Sequence, residues 1–399
     1  MRSFRTLDDI DLAGKRVLLR VDMNVPMRGG SVADTTRIEK IIPTITEIIA
    51  KGAGIVLASH LGRPKGQVVN ELSLAPLANV LGSFLKDTDV IFSADGAHLV
   101  NPGEVVLLEN LRFNPGEEGN DSEFSKSLSQ KADIYINDAF SCAHRAHGSI
   151  DGVARLLPAA AGRLMQQELE ALNNALENPS QPVAAIVGGN KISTKLSVLE
   201  NLITKVRHLI VGGAMANTFL FANGIAVARS LCERDMADTA RGIIDKAKDA
   251  GCTIHLPFDA IVAAGLEDGV AAKTVLINEI PADKMILDVG PKTVAQIISL
   301  LKTCKTLVWN GPLGAFEFKP FDSGTNAVAQ ATAEFTKEGM LLSVAGGGDT
   351  MFALDNAGVA HSFSYISSAG GAFLEWLEGR TLPGIAVLMK EDQALPKKT

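Results

Sequence analysis

A chain of 399 residues that is 46% hydrophobic and 21% charged holds enough apolar material for two or three buried cores, which excludes a disordered chain and a small disulfide-stapled scaffold. Its formal net charge of −7 excludes a surface dominated by basic residues, so no nucleic-acid partner is expected, although a local basic pocket remains compatible with that sum. Four widely spaced cysteines (Cys142, Cys232, Cys252, Cys304) without a C-x-x-C read as reduced thiols, no apolar run approaches the roughly 18 residues of a membrane span, and the opening stretch MRSFRTLDDIDLAGK has no apolar leader, so a cytoplasmic protein is expected.

Short apolar runs alternate with amphipathic stretches along the chain. The first run, VLLRV at 17–21, is followed by a helical pattern over 36–51, with Ile38, Ile41, Ile42, Ile45, Ile48 and Ile49 at helical spacing. Further runs follow at 55–58, 105–108 and 134–136. A long polar helix is expected over 162–177, stopped by Asn178-Pro179 and a second proline at 182. New apolar runs then begin at 183–187, 209–211, 306–309 and 341–345, and the last nine residues, EDQALPKKT, read as a polar surface tail. Strand–helix–strand alternation implies parallel sheets covered on both faces. The expected fold is α/β: two Rossmann-like parallel-sheet domains of three αβα layers, joined by a helical hinge. The boundary falls at residues 165/166, with the bridging helix in the second domain.

Ligands of parallel sheets bind at the carboxyl ends of strands. In the first half those ends carry Asp22 and Asn24, then His60 and Arg63, then Asn110 and Arg112, then Asp138, His144, Arg145 and His147, while Arg37 opens the helix after the first strand. Cations gathered at one rim repel unless an anion joins them, and the arginine fork suits carboxylate and phosphate oxygens. A pocket for a small, multiply charged anion follows, such as a phosphorylated carboxylic acid. His144 and His147 have metal-like spacing, but Arg145 between them would repel a cation and no third ligand is evident.

In the second half the strand ends are rich in glycine: GGNKISTK, GGAMANTF, NGPLGAFE and GGGDTMFAL. Glycines let backbone N–H groups approach phosphates at a helix start. Asp349 is placed for Mg²⁺, and Lys191 and Lys195, four apart, would share one face of a helix opening after Gly189. An anion rim in one domain and a phosphate rim in the other suit phosphoryl transfer, in which nucleotide and acceptor are held separately and brought in line by closure that excludes water.

Six motifs, RVDMNVP, SHLGRP, LLENLRF, AHRAH, WNGPLGAFE and AGGGDT, resemble those of the phosphoglycerate kinase family, in the same order and over roughly residues 4–389. The resemblance implies reversible transfer of the acyl phosphate of 1,3-bisphosphoglycerate to Mg·ADP, giving 3-phosphoglycerate and ATP. It implies a monomer that closes by hinge bending, without membrane or nucleic-acid partners, and a C-terminal segment, 383–399, folded back onto the first domain (1–165), the nucleotide domain being 166–382. Carried over by motif, Asp22, Met23 and Asn24 would hold the glycerate part. His60, Leu61, Gly62, Arg63, Arg112 and Arg145 would bind the substrate's charged groups, and Arg37 and Lys191 would meet the moving phosphoryl group from its two sides. Gly348 and Gly371 complete the implied catalytic set. Lys195, Gly212, Gly213, Asn310, Pro312, Glu317 and Gly346, Gly347, Gly348, Asp349 and Thr350 would bind nucleotide, with Glu317 on the ribose and Asp349 on Mg²⁺. The chain departs from the family pattern at Ser141, Asn190, Ala214 and Ala369, the last two adding methyl groups near the expected nucleotide.

Two other readings stand beside this one. A nicotinamide dehydrogenase would share the α/β domains but needs a G-x-G-x-x-G that is absent. A non-catalytic anion-binding protein would keep the arginine rim but has no use for Lys191, Asp349 or the glycine rim.

Overall fold

The computed structural model describes residues 4–86 and 88–389. Two compact units result, one formed by the chain up to Leu169 together with residues from Thr381 onward, the other by Glu170–Arg380.

The first unit is built on a six-stranded parallel sheet: β1 (Arg16–Val21), β2 (Gly54–Ala58), β3 (Val90–Ser93), β4 (Val105–Leu108), β5 (Ile134–Asp138) and β6 (Ala159–Ala161), in the spatial order β3-β4-β2-β1-β5-β6. Every residue of β2, β4 and β5 is buried, as expected for strands covered on both faces. Helix α1 (Thr36–Ala50) turns Ile38, Ile41, Ile45 and Ile48 into the core that also holds Val17, Leu19, Ile55 and Leu57. The strand order reverses between β1 and β5, so a crevice is expected where their carboxyl ends diverge.

The second unit repeats the plan with β7 (Val183–Val187), β8 (His208–Val211), β9 (Thr253–His255), β13 (Thr306–Asn310), β14 (Leu342–Gly346) and β15 (Tyr365–Ser367), ordered β9-β8-β7-β13-β14-β15. Its switch point lies between β7 and β13. An antiparallel three-stranded sheet, β10 (Asp259–Ala263), β11 (Lys273–Leu276) and β12 (Met285–Val289), is inserted between β9 and β13. Trp309, Ile186, Leu307 and Ala345 lie in the core of this unit.

The polar helix expected over 162–177 is shorter, Arg163–Leu172, and ends in a wider π-type turn, Asn173–Glu177. Its start is clamped to the first unit: Arg163 donates to Glu47 at 2.7 and 2.6 Å and to Asp8 at 2.7 and 2.6 Å. Late in the chain, Arg5 N–H donates to Leu388 O at 3.0 Å and Gly384 N–H to Ala143 O at 2.9 Å. Residues 390–399, which include the expected polar tail and most of the expected C-terminal segment, lie outside the described residues. Among the described residues no helix is long and apolar enough to cross a membrane, and all four cysteines are free thiols.

Candidate active site

In the first unit, three strand ends meet at one peptide. Asn24, just after β1, accepts the Gly62 N–H on Oδ1 at 2.9 Å, and Arg112, after β4, donates from Nη1 to the Gly62 carbonyl at 2.8 Å. Asn110 Nδ2 donates to Leu61 O at 2.8 Å, fixing the preceding residue as well. Gly62 has φ +60, a conformation that favours glycine, and a Cβ there would also have to displace the end of the Leu72 side chain, 2.8 Å away. Met23 is buried, its N–H donating to Ser59 Oγ at 2.9 Å. The loops after β1, β2 and β4 are thus one assembly.

Cations crowd this rim. Burial, then the charge of Arg145, lowers the pKa of Arg112, which is 3% exposed. Burial, then Arg20, Arg112, Arg145 and His147, holds His60 well below the usual histidine range. A buried cation facing further cations stores unfavourable energy that an anion would relieve. Arg63 is exposed and has no ion-pair partner among the described residues. Arg145 donates from Nε to His144 Nε2 at 3.2 Å.

Across the switch point, Asp22 Oδ2 receives Arg37 Nη1 at 2.5 Å and Ser141 Oγ at 2.5 Å, while its Oδ1 caps the Asn24 N–H at 3.0 Å. Ser141, noted in the sequence only as a departure from pattern, is therefore a partner of the Asp22–Arg37 pair. The sequence also gave no reason to single out Arg20, Glu117 and Ser149, which form a buried network behind His60; a charge inside the otherwise apolar VLLRV run was the available signal.

In the second unit the glycine loops after β7, β8 and β13 pack backbone against backbone. Gly188 N–H donates to Asn310 O at 2.9 Å, Gly212 N–H to Val187 O at 3.0 Å, and Gly213 N–H to Leu313 O at 2.8 Å. Gly213 has φ +66, and a Cβ there would lie 2.6 Å from Gly189 O. These loops open onto a cavity of about 500 Å³, lined among others by Asn190, Ala214, Met285, Pro312, Glu317 and Asp349. That size suits a nucleoside-sized ligand. At its edge Lys195 Nζ donates to Asn310 Oδ1, and Asn310 Nδ2 donates to Gly346 O at 2.7 Å. Thr350 Oγ1 donates to Gly346 O at 2.9 Å and accepts from Gly311 N–H at 2.7 Å. Burial lowers the pKa of Lys195, opposed by the charges of Asp349 and Glu378.

Of the residues expected at the nucleotide, Gly213, Pro312, Glu317 and Asp349 line the cavity, whereas Lys195, Gly212, Asn310, Gly346, Gly347, Gly348 and Thr350 do not, and further placements differ from expectation. The helix after Gly189 begins only at Leu196 (Leu196–Leu202), so Lys191 and Lys195 do not share a helical face. Ser193 donates to Glu233 through N at 3.1 Å and Oγ at 2.6 Å, holding the intervening residues in a turn, with Lys191 exposed. Ala369 is buried and its N–H donates to Ser367 Oγ at 3.3 Å; unlike Ala214 it does not line the cavity. Gly371 is exposed on the helix Gly370–Leu377 and also lies off the cavity wall.

Asp288, 2% exposed on the cavity wall, gives this unit a pH dependence. Burial pushes its carboxyl up to about 7, against N–H donation from Gly324 and Val289. Because the folded-state value lies above the unfolded one, the native state holds the extra proton between about pH 4 and 7. Stability from this group is present at the acid side and is lost as pH rises to 7, by at most about 4 kcal/mol. Asp288→Asn should therefore reduce the fall in urea midpoint between pH 5 and pH 8, even if its absolute stability drops as Gly324 N–H loses an acceptor. Equal falls in both proteins would exclude this assignment.

Asp349 is exposed in the first turn of the helix Gly348–Asn356, beside the backbone N–H groups of the glycine loop. One carboxylate with phosphate oxygens is a donor set that Mg²⁺ accepts, so the residues fit that ion. A family model described as phosphoglycerate kinase matches residues 7–380. The chain is 58% identical over 393 residues to the phosphoglycerate kinase of Cereibacter sphaeroides, covering 96% of this chain and 99% of that protein, and 55% identical over 396 residues to that of Sphingopyxis alaskensis, covering 97% and 100%. Among solved structures it resembles phosphoglycerate kinase from Coxiella burnetii, with TM-score 0.93, 44% identity and coverage of 97% and 99%. It also resembles the enzyme from Pyrococcus horikoshii OT3, with TM-score 0.77, 30% identity and coverage of 97% and 98%. The chain belongs to the phosphoglycerate kinase family.

Proposed function

We propose that the chain transfers the acyl phosphate of 1,3-bisphosphoglycerate to ADP, reversibly, giving 3-phosphoglycerate and ATP. The observation that carries this reading is the gathering of Arg112, Arg145 and His60 at one rim, with Arg112 and Asn24 both fastened to the Gly62 peptide. Such a rim calls for a multiply charged anion, and the glycine loops and cavity of the other unit offer what a nucleotide needs.

The first unit (proposed span 1–165 with 383–399) is the substrate domain. Arg63, Arg112, Arg145 and His60 take the non-transferred phosphate and carboxylate, and Asp22 and Asn24 take the glycerate hydroxyl. Met23, Leu61 and Gly62 shape the floor. The second (166–382) is the nucleotide domain. Glu317 accepts the ribose hydroxyls, Lys195 meets a phosphate, and Gly212, Gly213, Asn310, Pro312 and the loop from Gly346 to Thr350 frame the nucleotide. Asp349 with phosphate oxygens would hold Mg²⁺, which supplies charge neutralisation to the nucleotide phosphates. The donor is a mixed anhydride and already reactive, so no side-chain nucleophile and no phosphoenzyme are required. Arg37 and Lys191 counter charge on the moving group, aided by Gly348 and Gly371 through backbone N–H groups. The protein acts as a cytoplasmic monomer.

A coupled assay of ATP consumption with 3-phosphoglycerate tests the reading: turnover that requires both substrates is expected, and its absence rejects it. Arg63→Ala, which removes an exposed cation that has no ion-pair partner among the described residues, should weaken 3-phosphoglycerate binding about tenfold or more by calorimetry. Unchanged affinity would count against the anion rim.

A further inference from the structure

We propose that Arg20 is a positioning residue: seated on the buried Glu117–Ser149 pair, it fixes His60 as the neutral tautomer protonated on Nε2, the form that donates to the anionic substrate. The inference rests on the reading of His60 as a substrate contact.

Whereas Arg16 at the start of β1 is only partly buried, Arg20 is the strand's fully buried cation, 1% exposed. Its guanidinium points three ways. Nε donates to Ser149 Oγ at 2.8 Å, Nη1 donates to Val21 O, and Nη2 lies 3.2 Å from His60 Nδ1 and 3.8 Å from Cys142 Sγ. Arginine has five donors and no acceptor, so the contact at Nδ1 requires a lone pair there. A neutral imidazole that accepts at Nδ1 carries its proton on Nε2; a doubly protonated ring has no lone pair and would set cation against cation.

The network behind Arg20 is directional as well. Ser149 Oγ donates to Glu117 Oε1 at 2.6 Å, which turns a Ser149 lone pair toward Arg20 Nε. Ser149 N–H donates to Glu117 Oε2 at 2.8 Å, and Tyr135 Oη donates to Ser149 O at 2.8 Å. Glu117 is fully buried, with His147 Nδ1 at 3.7 Å. Had Arg20 served only to neutralise Glu117, the two would pair directly. A hydroxyl stands between them instead, leaving a guanidinium edge for His60.

The charged and titratable groups facing His60 act in the same direction. They are Arg20 from β1, Arg112 from the turn after β4, and Arg145 and His147 from the loop after β5; with burial they disfavour the imidazolium. His60 then offers one directed N–H and no charge, while the arginines supply the charge. Affinity for 3-phosphoglycerate should show no step from His60 in the imidazole range.

The test is long-range ¹H–¹⁵N correlation spectroscopy of the full chain with labelled histidine, between pH 5.5 and 8.5, His60 being assigned by the signal lost in His60→Gln. The expected result is an acceptor-type Nδ1 and a protonated Nε2, unchanged across the range. Arg20→Met should convert His60 into a mixture of the two neutral tautomers and raise KM for 3-phosphoglycerate about tenfold with kcat within about twofold, and Arg20→Lys should restore much of both. An Nδ1–H tautomer or a titrating His60 in the unmodified chain overturns the proposal, and that spectrum needs no variant to fold. An Arg20→Met protein with unchanged KM overturns it too. Absence of turnover in the unmodified chain sinks the functional reading itself, whereas a wrong tautomer with normal turnover sinks the role of Arg20 alone.

Discussion

Arg37→Ala should lower kcat by about 10²–10⁵-fold while leaving the KM for nucleotide within a few-fold. Arg37 stands in the first turn of α1, and its guanidinium is half-exposed on the Asp22 carboxylate. Exposed ion pairs contribute little to folding, so the thermal midpoint should stay within a few degrees. The loss belongs to the transition state, where charge accumulates on the transferring group and a positioned cation is worth most. Arg37→Lys keeps the charge but not the planar fork, and part of the rate should return. Steady-state kinetics decide the matter: an alanine variant within a few-fold of the parent rejects this role for Arg37.

Arg112→Met should weaken 3-phosphoglycerate binding at least about 100-fold, more than the loss of Arg63, because Arg112 has two tasks. It supplies positive charge to the rim, and it holds the Gly62 carbonyl at 2.8 Å. Methionine fills much of the buried stem volume, so the core is not opened. The cation is 3% exposed, and among the described residues its one carboxylate partner is Glu118 Oε1, at 3.3 Å from Nε. Removing a poorly paired, desolvated charge offsets part of the lost hydrogen bond to the Gly62 carbonyl, so stability should fall by no more than about 2 kcal/mol. Calorimetry with 3-phosphoglycerate and a urea melt separate the two effects; unchanged affinity with intact stability removes Arg112 from the site.

The long parallel strands were legible because a strand covered on both faces is a bare apolar run bounded by glycine or polar residues, as IVLA before SHLGRP shows. Edge strands carry weaker signals. Ala159–Ala161 is three alanines, a composition that favours helix, and it becomes a strand through pairing with β5. Lys273–Leu276 and Met285–Val289 each pair antiparallel with Asp259–Ala263, outside the alternation used to read the chain. The Lys191–Lys195 spacing misled because side-chain bonds from Ser193 to Glu233, 40 residues away, hold the segment in a turn. Strand-end cations could be read one by one; that three of the ends share Gly62 could not, since hydrogen bonds to a peptide group leave no trace in composition. Ser141 and the Glu117–Ser149–Arg20 series were hidden for the same reason, being partners brought together only by the sheet order.

The Gly62 peptide is a common fastening for three loops that arise far apart along the chain. Its N–H and its carbonyl are each claimed by a different side chain, and its positive φ disfavours any residue with a side chain there. Changes at positions 24, 62 and 112 therefore draw on one shared tolerance, so evolutionary drift at any of the three is constrained by the other two.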